Sequence, residues 1–225
     1  STVIVSAHGI SPEEETELLA KKIDILDTTC PYVKKIHMIV KQLVDDGYEV
    51  VIVGDKDHFE VKGILGYSKG RGIVVSCAED IASARLGRKV GVVSQTTQNR
   101  VFFMEMVCEI MRRVFVVRQA EVRVFHTICD ATELRQKSVE KLAAESDVMV
   151  VVGGKESANT KRLYEISKRM TKNTYHVESA SELKEKWFRG KKSAGIAGGA
   201  STPDDVIMEV AEKIRTMSDR RKSRG

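Results

Sequence analysis

The sequence predicts an α/β protein made of repeated small parallel-sheet subdomains around a pseudo-threefold axis, the first subdomain incomplete. Three observations lead there. Two apolar runs with strand character, "EVVIVG" and "DVMVVVGG", each follow a helix-length amphipathic segment. Cys30 and Gly54 stand 24 residues apart, as do Cys129 and Gly153, so one helix and one strand recur at equal length. Strand ends rich in small and hydroxylated residues return at a period of about 95 to 100 residues, longer than that of ordinary solenoids.

Taken in order, "STVIVSAHGIS" has the form of a last strand with His8 near its end, so the chain is expected to open on the final strand of a unit whose beginning is absent. "SPEEE" from Ser11 starts a helix, with a hydroxyl cap, proline at the first helical position and acids in the first turn. "DTTCPYVKKIH" then brings Cys30 to the point where a strand yields to a helix whose apolar face carries Val33, Ile36, Val40, Leu43 and Val44. "EVVIVG" and "GDKDHFEVKG" follow, then a helix, the strand "GIVVS", an acidic helix start, and the last strand "VGVVSQTT" with Thr96 at its end. "FFMEMVCEIM" reads as a helix with Cys108 in the core.

The second pass begins at "HTICDATELRQ", where Cys129 stands as Cys30 does, each after Thr-x and each at a helix start. The helical face beyond it carries Val139, Leu142 and Ala143, with polar residues at the two earlier positions. "GGKESANTKR" matches "GDKDHFEVKG", setting Ser157 opposite His58 and Asn159 opposite Glu60. "NTYHVES", an acidic helix start and "AGIAGGAST" complete the pass with Ser201 at the strand end, and "TPDD" from Thr202 repeats the Ser11 device. The expected divisions are 1–26, the remnant of a first subdomain; 27–122 and 123–202, the second and third; and 203–225, a C-terminal helix and basic tail.

Composition narrows the function. At 225 residues and 42% hydrophobic, the chain is long enough to bury a substantial core, yet no apolar run reaches the roughly 20 residues that cross a bilayer, and nothing resembles a signal peptide. A cytoplasmic location without membrane contact is expected. Four irregularly spaced cysteines then suit reduced thiols or a metal centre better than a disulfide framework. The net charge of +5 is spread along the chain and aromatics are 5%, so no nucleic acid is expected and a small anionic ligand fits better.

In open parallel sheets, ligands gather beyond the carboxyl ends of the strands, where His8, Cys30, His58, Glu60, Thr96, Cys129, Ser157, Asn159 and Ser201 all fall. A helix start favours thiolate, the form that ligates metal, which singles out Cys30 and Cys129; Cys77 and Cys108 lack matched partners and read as structural. No Cys-x-x-Cys is present, so ligands must converge from separate units. His8 and His58 suit phosphate contact, whereas His37, His126 and His176 read as packing or surface residues. Glu60, in a partly apolar site, would have a raised pKa and serve as a proton donor. "VVGGKES" lacks the P-loop spacing, and its value lies in the Ser157 and Asn159 donors.

The ordered set "SAHG", "DTTCPYVKKIH", "HFEVKG", "SQTT", "TICDATELRQ", "KESANTKRL" and "GASTP" resembles the LytB/IspH family of 4-hydroxy-3-methylbut-2-enyl diphosphate reductases across nearly the whole chain. The resemblance implies three α/β domains around a 4Fe-4S cluster bound by three cysteines. Cys30 and Cys129 match the second and third ligands, and the first belongs to a motif that would precede Ser1, so an N-terminally truncated chain is expected. By the same resemblance, His8, His58, Ser157, Asn159 and Ser201 hold the substrate diphosphate, while Glu60 and Thr96 manage the proton given to the departing hydroxyl. The products would be isopentenyl and dimethylallyl diphosphates of the non-mevalonate isoprenoid pathway, the electrons coming from a ferredoxin or flavodoxin, the protein a monomer or homodimer. Phe59 replaces the usual proline of His-Pro-Glu, and Ala158 stands where a serine is common. Two other readings of these residues are a non-catalytic module binding a phosphorylated metabolite and a zinc hydrolase using His8, His58 and Glu60.

Overall fold

The computed structural model describes residues 1–116 and 119–222, with side chains described as far as 218. By its contacts the chain divides into two compact units, the first running from Ser1 to Cys129 and the second from Asp130 onward. All strands pair in parallel, as an α/β protein of small sheets requires.

In the first unit, β1 (Thr2–Val5) leads through α1 (Pro12–Ala20) to β2 (Asp24–Asp27), its parallel partner. Then come α2 (Pro31–Asp45), β3 (Glu49–Val53), α3 (Phe59–Gly66), β4 (Gly72–Val75), α4 (Ala78–Ser83), β5 (Lys89–Ser94), α5 (Arg100–Val114) and β6 (Glu121–Val124). These form a four-stranded sheet in the order β4-β3-β5-β6. Side chains alternate across it: Val50 and Ile52 meet Ile36, Val40, Leu43 and Ile64 on one face, while Val51 and Val53 meet Phe103, Val107 and Ile110 on the other. Both faces are covered, which is why these strands read as unbroken apolar runs. Gly91 lets the layers close, since a Cβ there would sit 2.4 Å from Leu43 Cδ1.

The expected apolar face of α2 is buried throughout, joined by His37. Ser11 caps α1 in a reciprocal box, its hydroxyl accepting the Glu14 N–H at 3.2 Å while Glu14 accepts the Ser11 N–H at 2.8 Å. Cys108 departs from expectation: it is exposed, not core. The stripe of α5 that faces the sheet is Phe103, Met106, Val107, Ile110 and Val114, and Cys108 is turned away from it.

The second unit holds α6 (Asp130–Ala144), β7 (Val148–Val152), α7 (Ala158–Met170), β8 (Thr174–Val177), β9 (Ala194–Gly198) and α8 (Asp204–Lys222), with sheet order β8-β7-β9. This order matches β4-β3-β5, so the repeat seen in sequence is a repeat of topology. Of the polar positions in α6 that match Val33 and Ile36, Thr132 is buried with Val139 and Ala143, whereas Arg135 is half-buried. Two expectations fail here. The acidic helix start after β8 gives two 3-10 turns, Ala180–Glu182 and Glu185–Phe188, which pack Leu183 and Phe188 against the sheet. Thr202 does not repeat the Ser11 device, because its hydroxyl donates to the Val152 carbonyl at 3.0 Å. The end of the basic tail, 223–225, lies outside the described residues.

Candidate active site

The two candidate thiols are positioned by the same pair of bonds. Thr28 donates its hydroxyl to the carbonyl of Val5, the last residue of β1, and the Cys30 N–H donates to Ala7 O at 3.0 Å. One repeat later, Thr127 donates to the carbonyl of Ser94, the last residue of β5, at 2.7 Å, and the Cys129 N–H donates to Thr96 O at 3.1 Å. Each Thr-x-Cys is thus tied to the end of its neighbouring strand by the hydroxyl and to the residue two further on by the cysteine N–H. Both thiols are half-buried, and Cys30 caps α2 without its sulfur engaging a backbone N–H.

The other candidates of the first unit link the two Thr-x-Cys stretches. His8, next to Ala7, meets His58 edge-on, the ring centroids 5.2 Å apart and the planes at 89°. His58 caps α3, and its Nδ1 accepts the Glu60 N–H at 3.2 Å, which leaves Nε2 as the donor of the neutral ring. Burial holds its pKa below the ordinary imidazole value, and the neighbouring His8 adds to the effect. Glu60 is 2% exposed. Its carboxylate accepts from both donors of Thr96, the backbone N–H at 2.6 Å and the hydroxyl at 2.7 Å. Burial raises the Glu60 pKa against those two bonds, which favour the charged form. Thr96 in turn receives the Cys129 N–H. A path of bonds and one ring contact therefore runs from Cys30 through Ala7, His8, His58, Glu60 and Thr96 to Cys129.

His37 supports this path from below. Gly9, at φ +74°, follows His8, and a Cβ on it would lie 2.8 Å from His37 Cε1. The His37 ring stacks on Tyr67 with centroids 4.2 Å apart, and its buried Nε2 has no hydrogen-bond partner among the described residues. Burial pushes its pKa down to about 4. Read from sequence as a packing or surface residue, His37 is a packing residue seated under the His8 turn, a place the sequence did not indicate. The available signal was that Val33, His37, Val40 and Val44 share one core-facing helical stripe.

In the second unit, Ser157 caps α7, its hydroxyl accepting the Thr160 N–H at 3.3 Å. Its own N–H donates to Gly154 O at 3.0 Å, as the His58 N–H does to Asp55 O at 3.1 Å, so the match read from sequence is one of local geometry. Asn159 is 7% exposed, and its Nδ2 has no hydrogen-bond partner among the described residues. Ser201 is exposed in a turn closed by the Thr202 N–H on Gly199 O at 3.1 Å; the Gly9 N–H closes the His8 turn on Ser6 O at the same 3.1 Å. Thr160 packs this turn against the start of α7, leaving no space for a Cβ on Gly199. Phe59 is 73% exposed, so its ring stands where the cap needs no packing. Ala158 is the first residue of α7 and offers no hydroxyl.

As a donor set for an iron-sulfur group, these residues supply two thiols held alike. Among the described residues no group of three or more His, Cys, Asp or Glu side chains is arranged to hold a metal ion. Both Glu60 oxygens are engaged by Thr96, which counts against the zinc reading. Nor is any helix among the described residues long and apolar enough to cross a membrane.

Fold and site together define an α/β protein of small parallel sheets whose strand ends carry two matched thiols, an imidazole pair and a buried acid. The chain belongs to the LytB family, the model described as "LytB protein" matching residues 1–215. It is 52% identical over 221 residues to the 4-hydroxy-3-methylbut-2-enyl diphosphate reductase of Aquifex aeolicus (strain VF5), covering 97% of this chain and 75% of that one. The protein of the same name from Geotalea daltonii is 46% identical over 220 residues, covering 96% and 75%. A solved structure of (E)-4-hydroxy-3-methyl-but-2-enyl diphosphate reductase, described as the terminal enzyme of the non-mevalonate pathway, is 51% identical with a TM-score of 0.63, over 96% of this chain and 76% of that one. The E-1-hydroxy-2-methyl-but-2-enyl-4-diphosphate reductase from Plasmodium falciparum reaches a TM-score of 0.87 at 26% identity, over 94% and 66%. The chain thus spans about three quarters of the length of the two curated relatives.

Proposed function

We propose that the chain carries the reductive dehydroxylation of 4-hydroxy-3-methylbut-2-enyl diphosphate to isopentenyl and dimethylallyl diphosphates. The observation that carries this reading is the path from Cys30 to Cys129, which sets a buried acid and a hydroxyl between two thiols held alike. The reaction takes two electrons and two protons: the C–O bond breaks, the hydroxyl leaves as water, and a C–H bond forms. A 4Fe-4S cluster would count Cys30 and Cys129 among its ligands and would supply the two electrons, delivered by a ferredoxin or flavodoxin.

The chain's own groups handle binding and the proton. Protonated Glu60, favoured by burial, donates to the Thr96 hydroxyl, which is thereby free to pass its own hydrogen to the departing oxygen. The Thr96 N–H keeps the carboxyl oriented throughout. Diphosphate recognition falls to two donor sets, each within its own unit: His8 with the Nε2–H of neutral His58, and Ser157, Asn159 and Ser201. The unpartnered Nδ2 of Asn159 suits a phosphoryl oxygen, because a buried donor is costly until it has an acceptor. A cytoplasmic setting belongs to the same proposal.

Anaerobic reconstitution with iron and sulfide, followed by analysis of both elements, tests the reading. Bound iron is expected to fall in Cys30→Ser and in Cys129→Ser. Undiminished iron in the double variant would overturn the ligand assignment.

A further inference from the structure

The outward side of α5 carries Val101, Met104, Cys108 and Met111, continued by Phe115 at its C-cap, spaced alternately by three and four residues. All five are exposed, the four largest between 39% and 59%. That spacing is a coiled-coil seam, and here it lies on a helix whose other apolar stripe is already buried against the sheet. Along one flank run Glu105, Glu109 and Arg112. Arg113 is turned aside, bonded to the Ala82 carbonyl at 3.3 Å. Arg112 meets Glu109 within the helix at 3.1 Å, an exposed contact of little worth, and Glu105 has no ion pair among the described residues.

We infer that this face binds the same face of a second copy of the chain, helix against helix in antiparallel sense. The charges favour this occupant and this direction. With the seam at positions a and d, Glu105 and Arg112 both fall at e, and antiparallel pairing sets e against e, bringing Glu105 of each copy near Arg112 of the other. In a parallel pair e meets g, and the g positions Val107 and Val114 are buried in their own unit. The seam covers about 22 Å of helix. Five side chains per copy bury less than the roughly 1,200 Å² of a stable interface, so the dimer is weak, half-formed on the order of 100 µM chain.

Sedimentation of the 225-residue chain from about 5 µM to about 1 mM tests this inference, with far-UV circular dichroism to confirm folding. The wild type is expected to shift from monomer to dimer over that range, and Met104→Glu with Met111→Glu to remain monomeric. Glu105→Arg alone and Arg112→Glu alone should each weaken association by about 3- to 10-fold, from two symmetry-related pairs. The double charge swap should restore it to within about twofold. A wild type that stays monomeric, as it would if another protein or segment occupies the face, overturns the inference. So does a dimer indifferent to the methionine changes. A swap that fails to restore association overturns the antiparallel arrangement.

Discussion

Glu60 and Thr96, 36 residues apart in sequence, meet at two points: both donors of the threonine, backbone and hydroxyl, fall on the two oxygens of one buried carboxyl. The backbone bond fixes the carboxyl, so the hydroxyl bond can reverse direction when the acid gains a proton. Replacing Glu60 by Gln keeps the shape and removes the transferable proton. Turnover of reconstituted enzyme is expected to fall by about 10² to 10⁴-fold. The same variant should be more stable than wild type at neutral pH, because the raised pKa means that folding works against the charged form. For an acid raised in the folded state, stability declines as pH rises from the unfolded value through the higher folded one, and Gln abolishes that decline. Chemical denaturation at pH 5 and pH 8 measures it; an unstable, fully active Glu60→Gln variant would contradict both expectations.

His37 is buried neutral, with a pKa of about 4 against 6.5 when unfolded. Between those values the unfolded chain binds more protons, so stability should drop as pH falls from about 6.5 to 4, by on the order of 2–3 kcal/mol. His37→Gln should flatten that part of the profile. Urea midpoints measured across the range decide, and an unchanged slope in the variant would assign the effect elsewhere.

Asn159 keeps a buried amide nitrogen without a partner among the described residues. Truncation to Ala deletes no hydrogen bond of that group, so stability without ligand should change by less than about 1 kcal/mol. Stabilisation by inorganic pyrophosphate, followed by thermal shift, should weaken about tenfold in the concentration required. Equal responses in wild type and Asn159→Ala would remove this residue from the proposed diphosphate set.

The paired threonines before the cysteines differ in burial, and the difference is measurable. Thr127 is buried and bonds both the N–H and the carbonyl of Ser94 at 2.7 Å, so Thr127→Val should cost about 2–3 kcal/mol. Thr28 is exposed, and the Val5 carbonyl it bonds also accepts the Thr28 N–H at 3.1 Å, so Thr28→Val should cost about 1 kcal/mol or less. Denaturant titration of the two variants should show that order, and the reverse order would contradict the burial argument.

By itself the sequence determined the α/β pattern, the internal repeat, the Ser11 cap and the matched Thr-x-Cys stretches, because each depends on neighbours within a few residues or on strict spacing. The LytB motifs, read in order, located the candidate residues as well. Only the tertiary structure decided what each residue faces. Burial on α5 follows from which of its sides meets the sheet, and that placed Cys108 outside. The seat of His37 under Gly9, the two-point bond between Thr96 and Glu60, and the 3-10 turns after β8 all arise from chain segments far apart in sequence. Periodicity records how apolar a face is, whereas contact requires knowing which other surface comes to cover it.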